Sequence, residues 1–250
     1  MQIISVVNRK GGCGKTTTAQ ALGSGLMNEG YKVLFIDLDS QENLSLILDA
    51  SEEFLSSYDI LQGKPIKQAI QGTETADIIK GDYMLSSLVK LDPYTLKKQL
   101  SELNGKYDYI IIDTPPNLDS VTVNALTASD RVIITSQSDL LGYKGINVLL
   151  ETLEAVKQKF NQNLSIDGIL LTRYNKRTVI QQQFREAIEE LAKDNNTKVY
   201  ESYIRECNAI KEAQAMQTDI FSYSKNSNAA KDYQAFINEF IGKEGQGNGK

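Results

Sequence analysis

The sequence predicts an α/β fold in which a mostly parallel, doubly wound sheet is flanked by helices on both faces. Short apolar runs rich in β-branched residues recur along the chain and are too short for helices. Segments with helical spacing lie between them, at 16–28, 146–160 and 179–192. Alternating strands and helices are typical of parallel sheets, and the near absence of polar residues in the runs indicates strands buried on both faces. The runs cover residues 3–7, 33–36, 109–112, 132–135 and 169–172.

The rest of the chain predicts one domain over residues 1–241, because no linker and no internal repeat divides it. Residues 48–103 mix polar residues with short apolar clusters, glycine and proline, which predicts a small helical excursion from the sheet. Residues 233–241 place their apolar side chains on one helical face and predict a packed helix. Residues 242–250 are polar and predict a disordered tail.

Composition excludes several kinds of chemistry. The 250 residues include no histidine, so imidazole bases, Ser-His-Asp triads and histidine-containing zinc sites are excluded. The two cysteines, Cys13 and Cys207, form no C-x-x-C pair, which fits a reducing cytosol. No apolar run approaches the roughly 18 residues that span a bilayer, so we expect a cytoplasmic protein. The net charge of −5 means that any binding to DNA requires a local basic face.

The strongest motif, Lys-Gly-Gly-Cys-Gly-Lys-Thr-Thr at 10–17, directly follows the first predicted strand and opens a helix. Glycines let backbone N–H groups surround a phosphate, and the helix N-terminus adds positive potential. Lys15 can reach the β and γ phosphates, and the Thr16 hydroxyl can ligate Mg²⁺. The candidate nucleotide-binding residues here are Gly11, Gly12, Cys13, Gly14, Lys15, Thr16 and Thr17.

Three aspartates follow predicted strands at the edge of the sheet where ligands bind in such folds. Asp113 ends a wholly apolar strand, where a carboxylate is costly to bury unless it faces a cation. A capping role for Asp113 is the alternative. Asp37 and Asp39 point to the same side of their strand, so one can approach a metal while the other orients a water molecule. The candidate metal-binding residues are Thr16, Asp37 and Asp113.

The phosphate-binding motif departs from an ordinary P-loop, because Arg9 stands where glycine is usual and Lys10 adds a second lysine. In this respect it resembles the deviant Walker A motif of the ParA/MinD class of ATPases. Residues 37–45 are similar to the family's Asp-x-Asp-Pro-Gln-x-Asn segment, with Ser40 in place of proline. Residues 107–116 resemble its Walker B strand and following switch, and the similarity covers nearly the whole chain.

The resemblance to ParA proteins implies a P-loop NTPase that uses ATP and Mg²⁺ and hydrolyses ATP slowly, with stimulation by a partner. Asp39 would position the attacking water and Lys15 would contact the phosphates. Lys10 would reach the phosphates of the other subunit in an ATP-dependent homodimer. Thr172 and Arg173 would lie near the base.

The same resemblance implies a role in partitioning a plasmid, mobile element or chromosome. The partners would be a ParB-like centromere-binding stimulator and DNA bound without sequence preference, so the ATP form would associate with the nucleoid. Residues 173–231 hold ten basic and eight acidic residues. Glu206 and Ala209 replace arginines of the family's pattern, which predicts weak DNA binding. The candidate DNA-binding residues are Arg173, Lys176, Arg177, Arg205 and Lys211.

Three alternatives share the deviant loop. A MinD-like membrane-associated regulator would need a C-terminal amphipathic helix with a basic face, whereas the helix near 233–241 has acidic and basic flanks, so we expect no membrane partner. An electron carrier like the nitrogenase iron protein would need cluster-binding cysteines after the Walker B strand and later strands, and none is present. An ATPase that positions a protein cargo would have the same nucleotide chemistry and stays open.

Overall fold

The computed structural model describes residues 1–242 and contains an eight-stranded sheet in the order β3-β4-β2-β5-β1-β6-β7-β8. The β3–β4 pair is antiparallel and every other pair is parallel. This confirms the predicted α/β class with a mostly parallel sheet. The strands are β1 Gln2–Val7, β2 Val33–Asp37, β3 Gln71–Gly72, β4 Asp77–Ile79, β5 Tyr109–Asp113, β6 Arg131–Ser136, β7 Ser165–Thr172 and β8 Val199–Ile204.

Helices cover both faces of the sheet. Side chains from α1, α2 and α8 to α10 pack into one buried cluster, and those from α3 to α7 pack into two others. The helices are α1 Lys15–Asn28, α2 Asn43–Ile47, α3 Ser57–Leu61, α4 Thr95–Ser101, α5 Ser120–Ala128, α6 Leu140–Lys159, α7 Val179–Asp194, α8 Asn208–Ala215, α9 Ile220–Ser224 and α10 Asn228–Phe240. Short 3₁₀ turns lie at Ile66–Gln68 and Tyr83–Ser87.

All five strands predicted from apolar runs are present, whereas β3, β4 and β8 were not predicted. The unpredicted strands lie at the two edges of the sheet, where fewer side chains are buried and the apolar pattern is weaker. The segment 48–103 therefore contains short strands as well as the expected helical turns. Helix α6 begins at Leu140, six residues before its predicted start, because the Asp139 carboxylate caps it by accepting the Gly142 N–H at 2.6 Å.

Helix α10 packs its apolar side chains against α1 and β8. That face is therefore occupied by contacts within the chain. Within residues 1–242, no helix combines the length and apolar character needed to cross a membrane. Of the predicted tail 242–250, residues 243–250 lie outside the described part of the chain.

Because the central strands are parallel, their carboxyl ends meet at one edge of the sheet. The loop after β1, the segment after β2 and the end of β5 are thereby neighbours. In the register of the sheet, Asp113 of β5 lies between Asp37 of β2 and Val6 of β1.

Candidate functional site

The P-loop between β1 and α1 has the backbone conformation of an anion cradle. Gly12 and Gly14 adopt φ angles of +72° and +89°, which L side chains rarely tolerate. A Cβ atom added at Gly11 or Gly12 would meet no atom within 4 Å, so open space lies beside the loop. Gly14 is the N-cap of α1 and offers no side chain to its first N–H groups. These donors are thus available to a phosphate.

Neighbouring strands hold this loop in place. The buried Cys13 thiol donates to the Lys10 carbonyl at 3.0 Å, and the Thr172 hydroxyl of β7 donates to the Cys13 carbonyl at 2.9 Å. Asn8 accepts the Lys10 N–H at 2.9 Å and donates to the Thr135 carbonyl. Thr172, predicted near the base, therefore places its hydroxyl on the loop backbone.

Asp37 and Asp113 are fully buried side by side, but their hydrogen bonding differs. Asp37 accepts the Ser45 N–H at 2.9 Å, the Ser45 hydroxyl at 2.7 Å and the Asp39 N–H at 3.0 Å. Neither carboxylate oxygen of Asp113 has a hydrogen-bond partner, and they are the only such buried side-chain atoms among the described residues. Of the two predicted metal-facing carboxylates, Asp113 is the one with unused oxygens.

Burial raises the pKa of Asp37 to about 6, and the hydrogen bonds from Ser45 limit this rise in pKa. Burial, and then the charge of Asp37, raises the pKa of Asp113 well above its ordinary value. The nearby Thr16 hydroxyl and the charge of the Lys15 ammonium oppose this rise in the pKa of Asp113. The Thr16 hydroxyl nevertheless does not form a hydrogen bond to either Asp113 oxygen. Two adjacent buried carboxyl groups require a proton or a cation.

These residues fit a magnesium ion that is bound mainly by a nucleotide. Asp113 offers two unpartnered oxygens beside Thr16. Residues 1–242 contain no group of three or more acidic or cysteine side chains that could hold a metal ion by themselves. Mg²⁺ commonly takes one or two protein ligands and completes its shell with water and phosphate oxygens.

Asp39 lies at the mouth of the site and is 6% exposed. Its Oδ1 accepts the Gln41 N–H at 3.0 Å, and its own N–H is held by Asp37. Among the described residues, none donates a hydrogen bond to Asp39 Oδ2. Asp37 therefore fixes the backbone of Asp39, and Asp39 keeps one oxygen for a further contact.

Two cavities that share part of their lining lie along this edge of the sheet. The wide cavity, of about 580 Å³, is lined by the P-loop, Asp39 and α2. The narrow cavity, of about 150 Å³, is lined by the ends of β7 and β8 and by α8. Both are lined by Gly14, Thr17, Arg173 and Gln214. The wide cavity can thus accommodate the phosphates of a ligand at the P-loop.

Lys10 is bound within its own subunit. Its ammonium group donates to Gln137 Oε1 at 2.7 Å and to Asp139 Oδ2 at 3.1 Å. Sequence reasoning missed both partners, although Asp139 carried a signal as a capping residue just after a predicted strand. It also missed Ser45, whose hydroxyl holds Asp37.

The candidate DNA-binding residues fall into two groups. Lys176 and Arg177 are exposed in the loop between β7 and α7 and line neither cavity. The other three line the narrow cavity, and Arg205 is held there by Asp232 at 2.6 Å. The members of this second group are Arg173, Arg205 and Lys211.

Comparisons with known proteins agree with this geometry. The model of an AAA domain family matches residues 1–166. The chain is 33% identical over 257 residues to the chromosome partitioning protein ParA of Caulobacter vibrioides, covering 98% of this chain and 95% of ParA. It is 36% identical over 243 residues to the sporulation initiation inhibitor Soj of Bacillus subtilis, covering 93% and 95% of the two chains. The chain belongs to the ParA/Soj family of partitioning ATPases.

Solved structures share the fold of this ParA/Soj-family chain. Apo McdA of Cyanothece superposes with a TM-score of 0.87 over 96% of this chain and 99% of McdA, and its 23% identity shows the fold alone. The septum site-determining protein MinD of Pyrococcus horikoshii, solved with Mg-ADP, has a TM-score of 0.78 and 27% identity over 95% of each chain.

Proposed function

We propose that this ParA/Soj-family chain is a Mg-ATP-dependent switch that dimerises with ATP, binds DNA without sequence preference and partitions a DNA molecule. Residues 1–241 act as one nucleotide-binding domain. The observation that carries the proposal is the convergence of Lys15, Thr16 and Asp39 on one cavity beside the unpartnered carboxylate of Asp113.

Binding of the triphosphate rests on the P-loop. The N–H groups at the start of α1 surround the β-phosphate, and Lys15 adds a positive charge to the β and γ phosphates. Thr16 and Asp113 are the residues that would hold Mg²⁺ here, because Asp113 has two unpartnered oxygens beside the Thr16 hydroxyl. When bound, Mg²⁺ neutralises charge that develops on the phosphate oxygens. Arg173 lines both cavities, where it can contact the nucleotide.

Hydrolysis rests on Asp39. Its free Oδ2 orients the attacking water, and Asp37 positions Asp39 through the N–H···Oδ1 hydrogen bond. Phosphoryl transfer depends mainly on positioning and electrostatics, so a single carboxylate in this place has a large effect on rate. The slow basal reaction is stimulated by a ParB-like partner.

Dimerisation rests on Lys10. In the structure its ammonium group is bound to Gln137 and Asp139 of its own subunit. When ATP is held between two subunits, Lys10 transfers to the phosphates of the other subunit. ATP thereby stabilises the dimer and hydrolysis releases it.

The ATP dimer presents two copies of a basic surface that includes Lys176 and Arg177, so a weak monomer contact gains affinity through bivalency. DNA binding of this kind places the ATP form on the nucleoid. Positioning of a protein cargo is the second candidate function. It is favoured by Asp232, which occupies the Arg205 guanidinium that DNA would otherwise contact.

Calorimetric titration with Mg-ATP tests the proposal. The control is Lys32→Ala, which removes an exposed lysine just before β2, at the amino ends of the parallel strands and far from the P-loop along the strand direction. Wild-type protein and Lys32→Ala should bind ATP equally well. Lys15→Ala should weaken binding at least about 100-fold, because it removes the charge that faces the phosphates. Tight ATP binding by Lys15→Ala would contradict the assignment.

A further inference from the structure

We propose that Ser45 is a positioning residue for ATP hydrolysis, because its hydroxyl joins the Asp37 carboxylate to the segment 48–103 and so holds Asp39 in place. This role rests on the proposed function of Asp39 in orienting the attacking water. Ser45 lies in α2, is 7% exposed and lines neither the wide nor the narrow cavity. It therefore acts through other residues and not by contact with the nucleotide.

The neighbours of the Ser45 hydroxyl determine where its hydrogen goes. The hydroxyl oxygen accepts the Gly81 N–H at 2.7 Å and lies 2.7 Å from Asp37 Oδ2. A hydroxyl carries a single hydrogen, and the contact with Gly81 does not use it, so that hydrogen is donated to Asp37. Ser45 thereby connects the carboxylate at the end of β2 to a backbone group 36 residues further along the chain.

Gly81 allows the segment 48–103 to approach the end of β2 closely. A Cβ atom at position 81 would lie 3.0 Å from Asp37 Cγ and 3.1 Å from the Asp39 carbonyl oxygen, so a side chain there would require its neighbours to shift. The same segment contacts β2 through Ser57, whose hydroxyl donates to the Asp37 carbonyl at 2.7 Å. Close packing of this kind leaves the Asp37 carboxylate little room to move.

Ser45 fixes the direction in which the Asp37 carboxylate faces. Its N–H and its hydroxyl both donate to Oδ2, at 2.9 and 2.7 Å, which leaves Oδ1 to accept the Asp39 N–H at 3.0 Å. Among residues 1–242, the donors to this carboxylate are Ser45 and Asp39. Loss of the hydroxyl leaves one hydrogen bond on Oδ2, so the carboxylate rotates more easily and no longer holds Asp39 as firmly.

Displacement of Asp39 should affect the rate of hydrolysis more than the binding of ATP. Asp39 acts on the attacking water, whereas the P-loop supplies the donors that bind the phosphates. Loss of an interaction that is made only in the transition state lowers kcat and leaves substrate binding unchanged. Small displacements of a positioning group reduce the rate steeply, so Ser45→Ala should lower kcat about tenfold and change ATP affinity less than about twofold.

A double-mutant cycle on ATP hydrolysis tests the proposal. Phosphate release gives kcat for the wild type, Ser45→Ala, Asp39→Ala and the double variant, and calorimetry gives the ATP affinity of each. Because Ser45 acts through Asp39, Ser45→Ala should slow the Asp39→Ala protein by less than about twofold. Ser45→Thr keeps the hydroxyl, and its kcat should stay within about threefold of the wild type.

Ser57→Ala is the matched control. Ser57 is also buried and also donates one hydrogen bond to Asp37, but its acceptor is the backbone carbonyl and not the carboxylate. Thermal unfolding should show that Ser57→Ala and Ser45→Ala lower the melting temperature by similar amounts, whereas Ser57→Ala should leave kcat within about twofold of the wild type.

Two results would overturn the role of Ser45 alone, given that Asp39→Ala is slow. One is a kcat for Ser45→Ala equal to that of Ser57→Ala. The other is a loss of rate from Ser45→Ala that is as large in the Asp39→Ala protein as in the wild type. Hydrolysis by Asp39→Ala at the wild-type rate would instead overturn the proposed function of Asp39 together with the role of Ser45.

Discussion

The Lys10 ammonium lies 3.1 Å from Asp139 Oδ2 of the same subunit, and the two side chains are 30% and 45% exposed. The same aspartate caps α6 through its other oxygen. The lysine proposed to act across a dimer is therefore tethered in the monomer. Exposed ion pairs contribute about 0 to 1 kcal/mol, so the tether opposes dimerisation only slightly.

Asp139→Asn should tighten the ATP-dependent dimer by about two- to fivefold, because an amide keeps the helix cap while removing the charge that holds Lys10. Analytical ultracentrifugation with ATP, in an Asp39→Ala background that slows hydrolysis, measures the dimer dissociation constant. With Lys10→Ala also present, Asp139→Asn should have no further effect. An equal shift with and without Lys10 would show that the tether is not the cause.

Asp39→Ala should lower the rate of ATP hydrolysis about 100-fold or more while leaving ATP affinity nearly unchanged. The physical reason is that Asp39 Oδ2 is proposed to orient the water and makes no contact required for binding. A phosphate-release assay and calorimetry measure the two quantities. Glu53→Ala, which removes an exposed carboxylate, is the control. Hydrolysis by Asp39→Ala at the wild-type rate would rule out this role.

Stability without ligands should depend on the buried pair Asp37 and Asp113. Burial raises the pKa of Asp37 from 3.8 to about 6, so the folded state holds its proton more tightly than the unfolded state. The stabilisation is fully present below pH 3.8 and is lost as the pH rises through about 6. A shift of this size corresponds to about 3 kcal/mol in the free energy of unfolding.

Asp113→Asn should therefore stabilise the nucleotide-free protein at pH 7, by about 1 to 3 kcal/mol, because it removes a buried carboxyl group that is costly to ionise and has no hydrogen-bond partner. Its stability should also fall less steeply between pH 4 and pH 6 than that of the wild type. Urea unfolding at several pH values measures both effects. Mg-ATP should raise the melting temperature of the wild type more than that of the variant. Parallel pH profiles for the two proteins would contradict the prediction.

Sequence patterns predicted which edge of the sheet carries the functional residues, but they did not predict the long-range hydrogen bonds and ion pairs that these residues form. Central strands were predictable because burial on both faces leaves an unbroken apolar run, as in β5. The P-loop residues were predictable because their spacing is local. The partners of Lys10 were not, since Gln137 and Asp139 lie 127 and 129 residues away along the chain. Only the fold brings such residues together.

The edge strand β8 illustrates the same limit. Its pairing with β7 shifts register between Ile169 and Leu171, which leaves backbone donors on β8 unpaired by the sheet. The Glu239 carboxylate of α10 accepts the N–H groups of Glu201 and Ser202, each at 2.9 Å. A carboxylate that serves a strand 37 residues away has no local signature in sequence.

Glu239→Ala should lower the free energy of unfolding by about 1 to 3 kcal/mol, because it leaves these backbone donors without a partner. It should also increase aggregation, since an uncovered edge strand can pair with another chain. Urea unfolding and light scattering measure these effects. Glu190→Ala, an exposed carboxylate of α7, should change neither. Stability equal to that of the wild type would mean that water replaces Glu239 without cost.

DNA binding should depend on Lys176 and Arg177 more than on Arg205. The first two are exposed, whereas the Arg205 guanidinium is already bound to Asp232. Each lost phosphate contact lowers the slope of log affinity against log salt by about one. The double change Lys176→Ala, Arg177→Ala should therefore reduce that slope by about two per subunit in a titration with ATP and unrelated DNA sequences.

Arg205→Ala should have a smaller effect on this salt slope but should destabilise the fold, because it leaves the Asp232 carboxylate, 11% exposed, without its guanidinium. Lys225→Ala, which changes a lysine outside the proposed surface, is the control for the loss of one positive charge. If Arg205→Ala lowered the salt slope as much as the loss of Lys176 or Arg177 does, DNA would instead bind at the narrow cavity. Phosphate contacts are strongest at low salt. If ATP produced no DNA binding even there, the dimer would act on a protein cargo. The same ATP-dependent surface would then recognise a protein instead of phosphate groups.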